Sequence, residues 1–466
     1  MVPIGGTAMV PLAALLTEKG HQISGSDLAL YPPMSTLLES LAIPVETGFS
    51  PDHLPAGTDS VIVGNAALRD NPEAAEAARR GIRLLSMPQA IREFLLPGKT
   101  SVVVTGTHGK TTTSALVSWL LLDSGRDPGF LVGGEMRNLG RGYRLGGGPH
   151  FVLEGDEYNA AFFDRGPKFL HYEPKHLFVG NIEYDHADLY PDLASVEDAF
   201  RRVVEIVPAG GAVVVNADDP RALEAARRGG ASAKNGARGR LVRVSLKDAA
   251  ADFAATQIEE GPAGIRFTLL EKGHPAGRMS TPLVGTHNLR NTLGAIAIVR
   301  GLGLSAGEIS RALPGFSGVR RRLEVKGERN GVLVVDDFAH HPTAVAGTLQ
   351  ASRARWPNRR LWAIFEPRSN TAGRKMFEEE YANAFSAADA LVVGPVFHAN
   401  RLAPEARLDR EALVRRFLDE GKPAFAPETL DRIPDLLRSH ARSGDVLLLM
   451  SSGAFGGLPT TLLESL

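Results

Sequence analysis

Thr105-Gly106-Thr107-His108-Gly109-Lys110-Thr111-Thr112-Thr113 sets a lysine and a run of hydroxyls directly behind two glycines. Ser101–Val104 before it favours a strand, and the apolar run with Leu116, Trp119, Leu120 and Leu122 after it favours a helix. Strand, glycine loop and helix start form a phosphate cradle: loop N–H groups and the open helix end point at the anion, and the helix dipole favours negative charge there. Lys110 would reach the β- and γ-phosphates, and the Thr111 hydroxyl would meet Mg²⁺. The usual spacing asks for a glycine where Val104 stands, so the loop is short. A tight turn carrying a solvated lysine is the plain alternative.

Two further groups could serve the same chemistry. Glu154 follows Phe151-Val152-Leu153, and His186 closes Asn181-Ile182-Glu183-Tyr184-Asp185-His186 behind the apolar run His176–Val179. Both fall at predicted strand ends, the edge where open α/β sheets collect ligands. A carboxylate and a neutral imidazole there could hold a divalent ion beside a triphosphate. Asn288 and Asn291, three apart on a predicted helix, share a face. They read an adenine edge or simply cap the helix. Arg320-Arg321-Arg322 is a cationic run or a solvated linker, and Asp336-Asp337-Phe338-Ala339-His340-His341 gathers titratable groups after another apolar run.

The elements that must position these groups alternate strand and helix along the whole chain. Asp59–Gly64, Ala212–Val215, Val332–Val335, Leu361–Phe365, Ala390–Val393 and Val446–Met450 read as buried strands, and Ala344–Ala354 reads as a helix. Near the start, Gly5-Gly6-Thr7 opens a helix through Met9, and Ser26-Asp27 ends a strand, the layout of a dinucleotide-type fold. Only Met1–Ile4 remain to form the strand before Gly5, and Pro3 cannot donate to a sheet ladder. The first strand therefore looks truncated, or the given start is late. Three units are expected: 1–97, 98–318 and 319–466.

Composition narrows the class. The chain has 466 residues, net charge −1 and no cysteine. The charge gives no bulk field toward nucleic acid or a membrane surface. The missing cysteines exclude disulfides and thiolate chemistry and suit a cytoplasmic setting. No apolar run approaches the roughly 20 residues of a membrane span, and no signal-peptide pattern is present.

TGTHGKTTT, NIEYDHADLY, GTHNLRNT and DDFAHHPTAV, in that order, resemble the Mur ligase family in its UDP-N-acetylmuramate-using branch. Within the branch, SGSDLALYPPMSTLLESL, EGDEYNAAFFD and FEPRSNT are similar to members that add a whole tripeptide, L-alanyl-γ-D-glutamyl-meso-diaminopimelate, in peptidoglycan recycling. The resemblance implies an α/β fold of three domains: N-terminal Rossmann-like, central P-loop ATPase and C-terminal Rossmann-like. It implies an ATP-dependent amide ligase acting through an acyl phosphate, with two Mg²⁺ ions. Thr111 and Glu154 would hold one ion and His186 the other, with Lys110 and Arg322 on the phosphates. Gly106, Thr107, His108, Gly109, Thr112, Asn288, Asn291, Asp336 and Asp337 would complete the ATP site. Gly6, Thr7, Met9, Ser26, Asp27 and Asn65 would hold the UDP-sugar, and Arg368, Ser369 and Asn370 the peptide. The alternatives are a ligase that adds L-alanine alone, a folylpolyglutamate-type ligase, and a non-catalytic nucleotide-binding protein.

Overall fold

A computed structural model describes residues 1–232 and 238–466. Its largest sheet has ten strands and surrounds the phosphate loop. Thr100–Thr105 lies near its middle, between His150–Glu154 and His176–Val179, and pairs with both in parallel. The parallel run continues on one side through Gly129–Met136 and on the other through Ala212–Asn216, Arg240–Ser245 and Phe253–Gly261. Antiparallel partners close each flank: Arg141–Arg144 at one, Gly264–Glu271 and His274–Thr281 at the other. Val102, Val103 and Val104 are fully buried. That explains their unbroken β-branched run, since a parallel strand is covered on both faces. One cover is the helix Lys110–Asp123, packed against the helix Thr286–Gly301.

The C-terminal sheet runs Glu324–Arg329, Val332–Asp337, Val446–Met450, Leu361–Phe365, Ala390–Val393, Ala424–Phe425. Only its first pair is antiparallel. The helix Pro342–Arg355 follows the second strand directly, with His341 as N-cap and proline in its first turn, a position where the missing N–H costs nothing.

At the N-terminus, Gly25–Asp27 pairs with Val45–Thr47, and Ser60–Val63 with Arg83–Ser86, both in parallel. Residues 1–4 join the two pairs. Val2 N–H donates to Ile62 and Gly64 N–H to Val2, while Ile4 N–H donates to Ser26 and Ser26 N–H to Met1. Val2 and Ile4 are fully buried. The four residues that looked too few for a strand thus occupy the sheet's centre; a central position needs only enough chain to bond both neighbours. Among the described residues no helix is long and apolar enough to cross a membrane.

Candidate active site

The loop between Thr105 and Lys110 turns on two glycines with positive φ, Gly106 at 138° and Gly109 at 81°, a region open to glycine but strained for other residues. At Gly109 space matters as well: a Cβ would lie 2.4 Å from Asn291 Oδ1. Asn291 therefore roofs the loop, and its Nδ2 donates to Asn288 Oδ1 at 3.3 Å. Asn288 Nδ2 in turn donates to the Val284 carbonyl at 2.8 Å. The two asparagines sit together beside the loop, as their spacing suggests.

Lys110 points back into the loop. Its Nζ donates to the Gly106 carbonyl at 2.9 Å and to Glu157 Oε2 at 3.0 Å. Burial works against its charge, but Glu157, Asp156 and Glu154 outweigh burial and raise its pKa. Glu157 is 3% exposed and also receives His186 Nε2 at 3.0 Å. Burial opposes ionisation of Glu157, yet Lys110 and then His186 bring its pKa down to about 2. The raised pKa of His186 has the converse origin: burial lowers it, and Glu157 and Asp185 overcome that. Glu157 is the partner that sequence reasoning left out. Its signal was the acidic cluster at the strand end after Leu153, of which only Glu154 was singled out.

Glu154 faces a different neighbour. Thr111 Oγ1 donates to its Oε1 at 2.8 Å and Gly133 N–H to its Oε2 at 2.6 Å. Burial, then the nearby Asp156, raises the Glu154 pKa, so the site favours a cation beside it. A hydroxyl and a carboxylate in contact make an oxygen donor set of the kind Mg²⁺ takes. His186 belongs to the Glu157 group and not to this pair.

The arginine run splits three ways. Arg321 and Leu323 have positive φ, 58° and 46°, and this tight winding sends neighbouring side chains apart. Arg320 meets Glu135 at 2.6 Å. Arg321 meets Asp336 at 3.2 Å and the carbonyls of Ser451 and Gly453. Arg322 alone turns to the phosphate loop: its Nη2 lies 3.4 Å from Thr111 Oγ1, and its guanidinium stacks on Phe338 at 5.0 Å. Burial lowers its pKa despite the charges of Asp337 and Glu154. Asp337 accepts N–H groups from Leu323 and Ala339 at 2.7 and 2.8 Å. Both of its oxygens are thus engaged in shaping the turn that holds Arg322.

His108 Nε2 contacts Glu183 Oε2 at 2.9 Å, and the His108 N–H donates to Asn181 Oδ1 at 2.8 Å. The Thr107 hydroxyl accepts the Glu183 N–H at 2.9 Å. These bonds lock the loop to the next strand end. Thr112 is buried under it.

A cleft of about 1870 Å³ connects these groups with Gly6, Thr7, Met9 and Asn65 at the N-terminal end and with Arg322 and Asp336 at the other. Ser26 and Asp27 stand apart from its lining. Ser26 is fully buried, and Asp27 Oδ2 accepts the Gly5 N–H at 2.7 Å. Asp27 thereby shapes the glycine turn on which Gly6 and Thr7 are presented.

Arg368 lies outside the cleft lining, in a cradle of its own. Its guanidinium is 3.6 Å from the ring centroid of Phe397, and its Nη1 is 3.5 Å from Glu366. A Cβ on Gly453 would come within 2.0 Å of its Nε. Ser369 Oγ accepts the Ala372 N–H, Asn370 Nδ2 donates to Asp188 at 3.1 Å, and Thr371 Oγ1 accepts the His186 N–H at 3.2 Å. The segment 368–371 therefore links the C-terminal unit to the strand end carrying His186.

A glycine loop backed by a threonine–carboxylate pair, with an arginine brought in from the turn before Glu324–Arg329, has the donors and charges that phosphoryl transfer requires. Family models agree along the chain: the Mur ligase catalytic domain over residues 1–97, the Mur ligase middle domain over 104–299 and the Mur glutamate ligase domain over 321–453. The chain belongs to the Mur ligase family and so to the ATP-dependent amide ligases.

Among its relatives, the UDP-N-acetylmuramate–L-alanyl-γ-D-glutamyl-meso-2,6-diaminoheptanedioate ligase of Escherichia coli is 37% identical, over 99% of this chain and 97% of that one. The UDP-N-acetylmuramate–L-alanine ligase of Halorhodospira halophila is 35% identical, over 99% and 92%. A crystal structure of a murein peptide ligase from Psychrobacter arcticus superposes with a TM-score of 0.72 at 32% identity, covering 99% and 97%.

Proposed function

We propose that this protein joins UDP-N-acetylmuramate to L-alanyl-γ-D-glutamyl-meso-diaminopimelate at the expense of ATP, in the recycling of peptidoglycan. The observation that carries the substrate reading is the 37% identity to the Escherichia coli ligase of that specificity over 99% of the chain. In this reading units 1–97, 98–318 and 319–466 contribute the UDP-sugar, ATP and peptide sites.

The sugar's carboxylate oxygen attacks the γ-phosphorus of ATP. The bond to the β-phosphate oxygen breaks, ADP departs, and an acyl phosphate remains. The peptide's free α-amine then attacks the acyl carbon, the amide forms, phosphate leaves and the amine loses a proton. Phosphoryl transfer of this kind depends mainly on positioning and charge compensation.

Lys110 leaves Glu157 for the phosphates, and the N–H groups around Gly109 hold them. Arg322 approaches from the C-terminal side over Thr111. Asn288 and Asn291 face the adenine, and Gly6, Thr7, Met9 and Asn65 line the sugar-nucleotide end. Thr111 with Glu154 would hold one Mg²⁺ and His186 a second, supplying neutralisation of the phosphate charge. Arg368, held by Phe397, would pair with a carboxylate of the peptide, which suits the planar guanidinium.

The test is phosphate release with ATP, Mg²⁺ and UDP-N-acetylmuramate, offering either the tripeptide or L-alanine. Turnover with the tripeptide and none with L-alanine is expected. Turnover with L-alanine alone would assign the chain to the amino-acid-adding specificity.

A further inference from the structure

Beside the glycine loop lies a second cluster whose side chains are given no phosphate or Mg²⁺ contact above. His108, Glu183 and His341 each present one ligand atom within 4.8 Å of the other two. His108 Nε2 is 2.9 Å from Glu183 Oε2, and His341 Nδ1 is 3.4 Å from the same oxygen. The two imidazoles lie face to face at a tilt, with ring centroids 4.7 Å apart. Around a tetrahedral ion with bonds of about 2.0–2.2 Å, neighbouring ligand atoms stand roughly 3.3–3.5 Å apart. The His341–Glu183 spacing matches that value, the His108–Glu183 spacing is shorter by a few tenths of an ångström, and the third lies within 4.8 Å.

The surroundings support ligation. Asn181 clamps the His108 backbone on both sides: its Oδ1 accepts the His108 N–H at 2.8 Å, and its Nδ2 donates to the His108 carbonyl at 3.1 Å. His341 is 6% exposed: its Nδ1 accepts a long 3.4 Å bond from Thr343 N–H and lies 3.4 Å from Glu183 Oε2, and among the described residues the buried Nε2 has no protein partner. Such under-bonded buried groups are uncommon in folded proteins. A cavity of about 530 Å³, lined by Glu183, Arg221, His341, Thr343 and Phe377, adjoins the cluster and offers entry and room for water ligands. None of the three residues belongs to the Thr111–Glu154 pair.

We infer that His108, Glu183 and His341 bind a borderline first-row divalent cation, of the Zn²⁺ or Co²⁺ kind, that clasps the phosphate loop to the C-terminal unit. The donor set decides the class. Two imidazole nitrogens and one carboxylate suit Zn²⁺ and Co²⁺, whereas Mg²⁺ competes poorly where two of three protein donors are imidazole nitrogens. The placement decides the consequence. His108 and Glu183 stand at the edge of the ten-stranded sheet, while His341 caps a helix of the C-terminal sheet. An ion bound by all three ties the two together.

The experiment titrates Co²⁺ into the full-length, nucleotide-free protein in a large excess of Mg²⁺ and follows visible d–d absorption. One equivalent is expected to give the intense bands of a four- or five-coordinate site, and Zn²⁺ is expected to abolish them. His341→Ala and Glu183→Gln should each weaken Co²⁺ binding at least tenfold, while Glu154→Gln leaves it in place. Should either variant fail to fold, His108→Gln removes a third ligand independently. Absence of bands beyond those of hydrated Co²⁺ overturns the inference. So does binding that survives loss of these ligands, or binding that disappears with Glu154→Gln, which would place the ion at the Mg²⁺ pair.

Discussion

Lys110 and Glu157 compensate each other inside the protein, so stability and catalysis can be separated at this pair. Glu157 is nearly sealed from solvent, and its carboxyl is held at about 2 against an ordinary 4.5. That difference corresponds to roughly 3 kcal/mol of preference for the charged form. Lys110→Met leaves the carboxylate with His186 alone, and Glu157→Gln leaves the buried ammonium with weaker, more distant acids. Removing one member of a buried pair typically costs about 3–5 kcal/mol. In a unit of this size about 3 kcal/mol lowers the melting temperature by roughly 6–12 °C. The double variant Lys110→Met/Glu157→Gln replaces both charges by neutral groups of similar volume and should recover most of that loss. Its phosphate release should nevertheless stay down about 10²–10³-fold or more, because the lysine proposed to meet the phosphates is gone. The assays are thermal unfolding of the four proteins and phosphate release with saturating substrates. A Lys110→Met protein that melts at the wild-type temperature would refute the reasoning. A double variant no more stable than the weaker single would do so too.

Other expectations follow from the same geometry. Gly109→Ala should raise the KM for ATP at least tenfold, because a Cβ there meets Asn291 in a backbone region unfavourable to alanine; ATP titration of turnover is the check, and an unchanged KM would show that the loop relaxes freely. Arg322→Lys should lower kcat by about 10²-fold with little change in melting temperature, since lysine keeps the charge but not the fork; equal loss on Arg320→Lys would remove the distinction drawn between the arginines. Phe397→Ala and Gly453→Ala should each raise the KM for the tripeptide while sparing that for ATP, by releasing or displacing Arg368; a matching rise for ATP would mean the cradle serves the fold. Stability should fall as pH drops from about 6.5 toward 4. His287 and His341 are pushed down to about 4 from 6.5 by burial first. The unfolded chain therefore binds protons in that window before the folded one does. A flat melting temperature across this window would contradict the burial of these rings.

Much of the local structure was legible because local chemistry dictates it. His176–Val179, Leu361–Phe365, Ala390–Val393 and Val446–Met450 form strands over the residues their apolar runs delimit. Glycine loop, lysine and helix start are adjacent in the chain, so their juxtaposition needs no tertiary information. The same holds for Asn288 and Asn291, which helical spacing alone puts side by side. Residues 1–4 were harder: strand length reads poorly from sequence when pairing partners on both sides supply the hydrogen bonds.

The sequence by itself determined the α/β alternation, the glycine loop before the helix Lys110–Asp123 and the strand ends at which Glu154 and His186 would stand. These follow from periodicity, β-branching and turn chemistry, which act over a few residues. Only the tertiary structure decided which acid holds which base. Glu157 with Lys110 and His186, Glu154 with Thr111, and Arg322 rather than Arg320 or Arg321 over the loop are choices made between elements far apart in the chain. Backbone twist at Arg321 and Leu323 and the parallel stacking of strand ends bring those groups within reach of one another. No spacing within one segment records them.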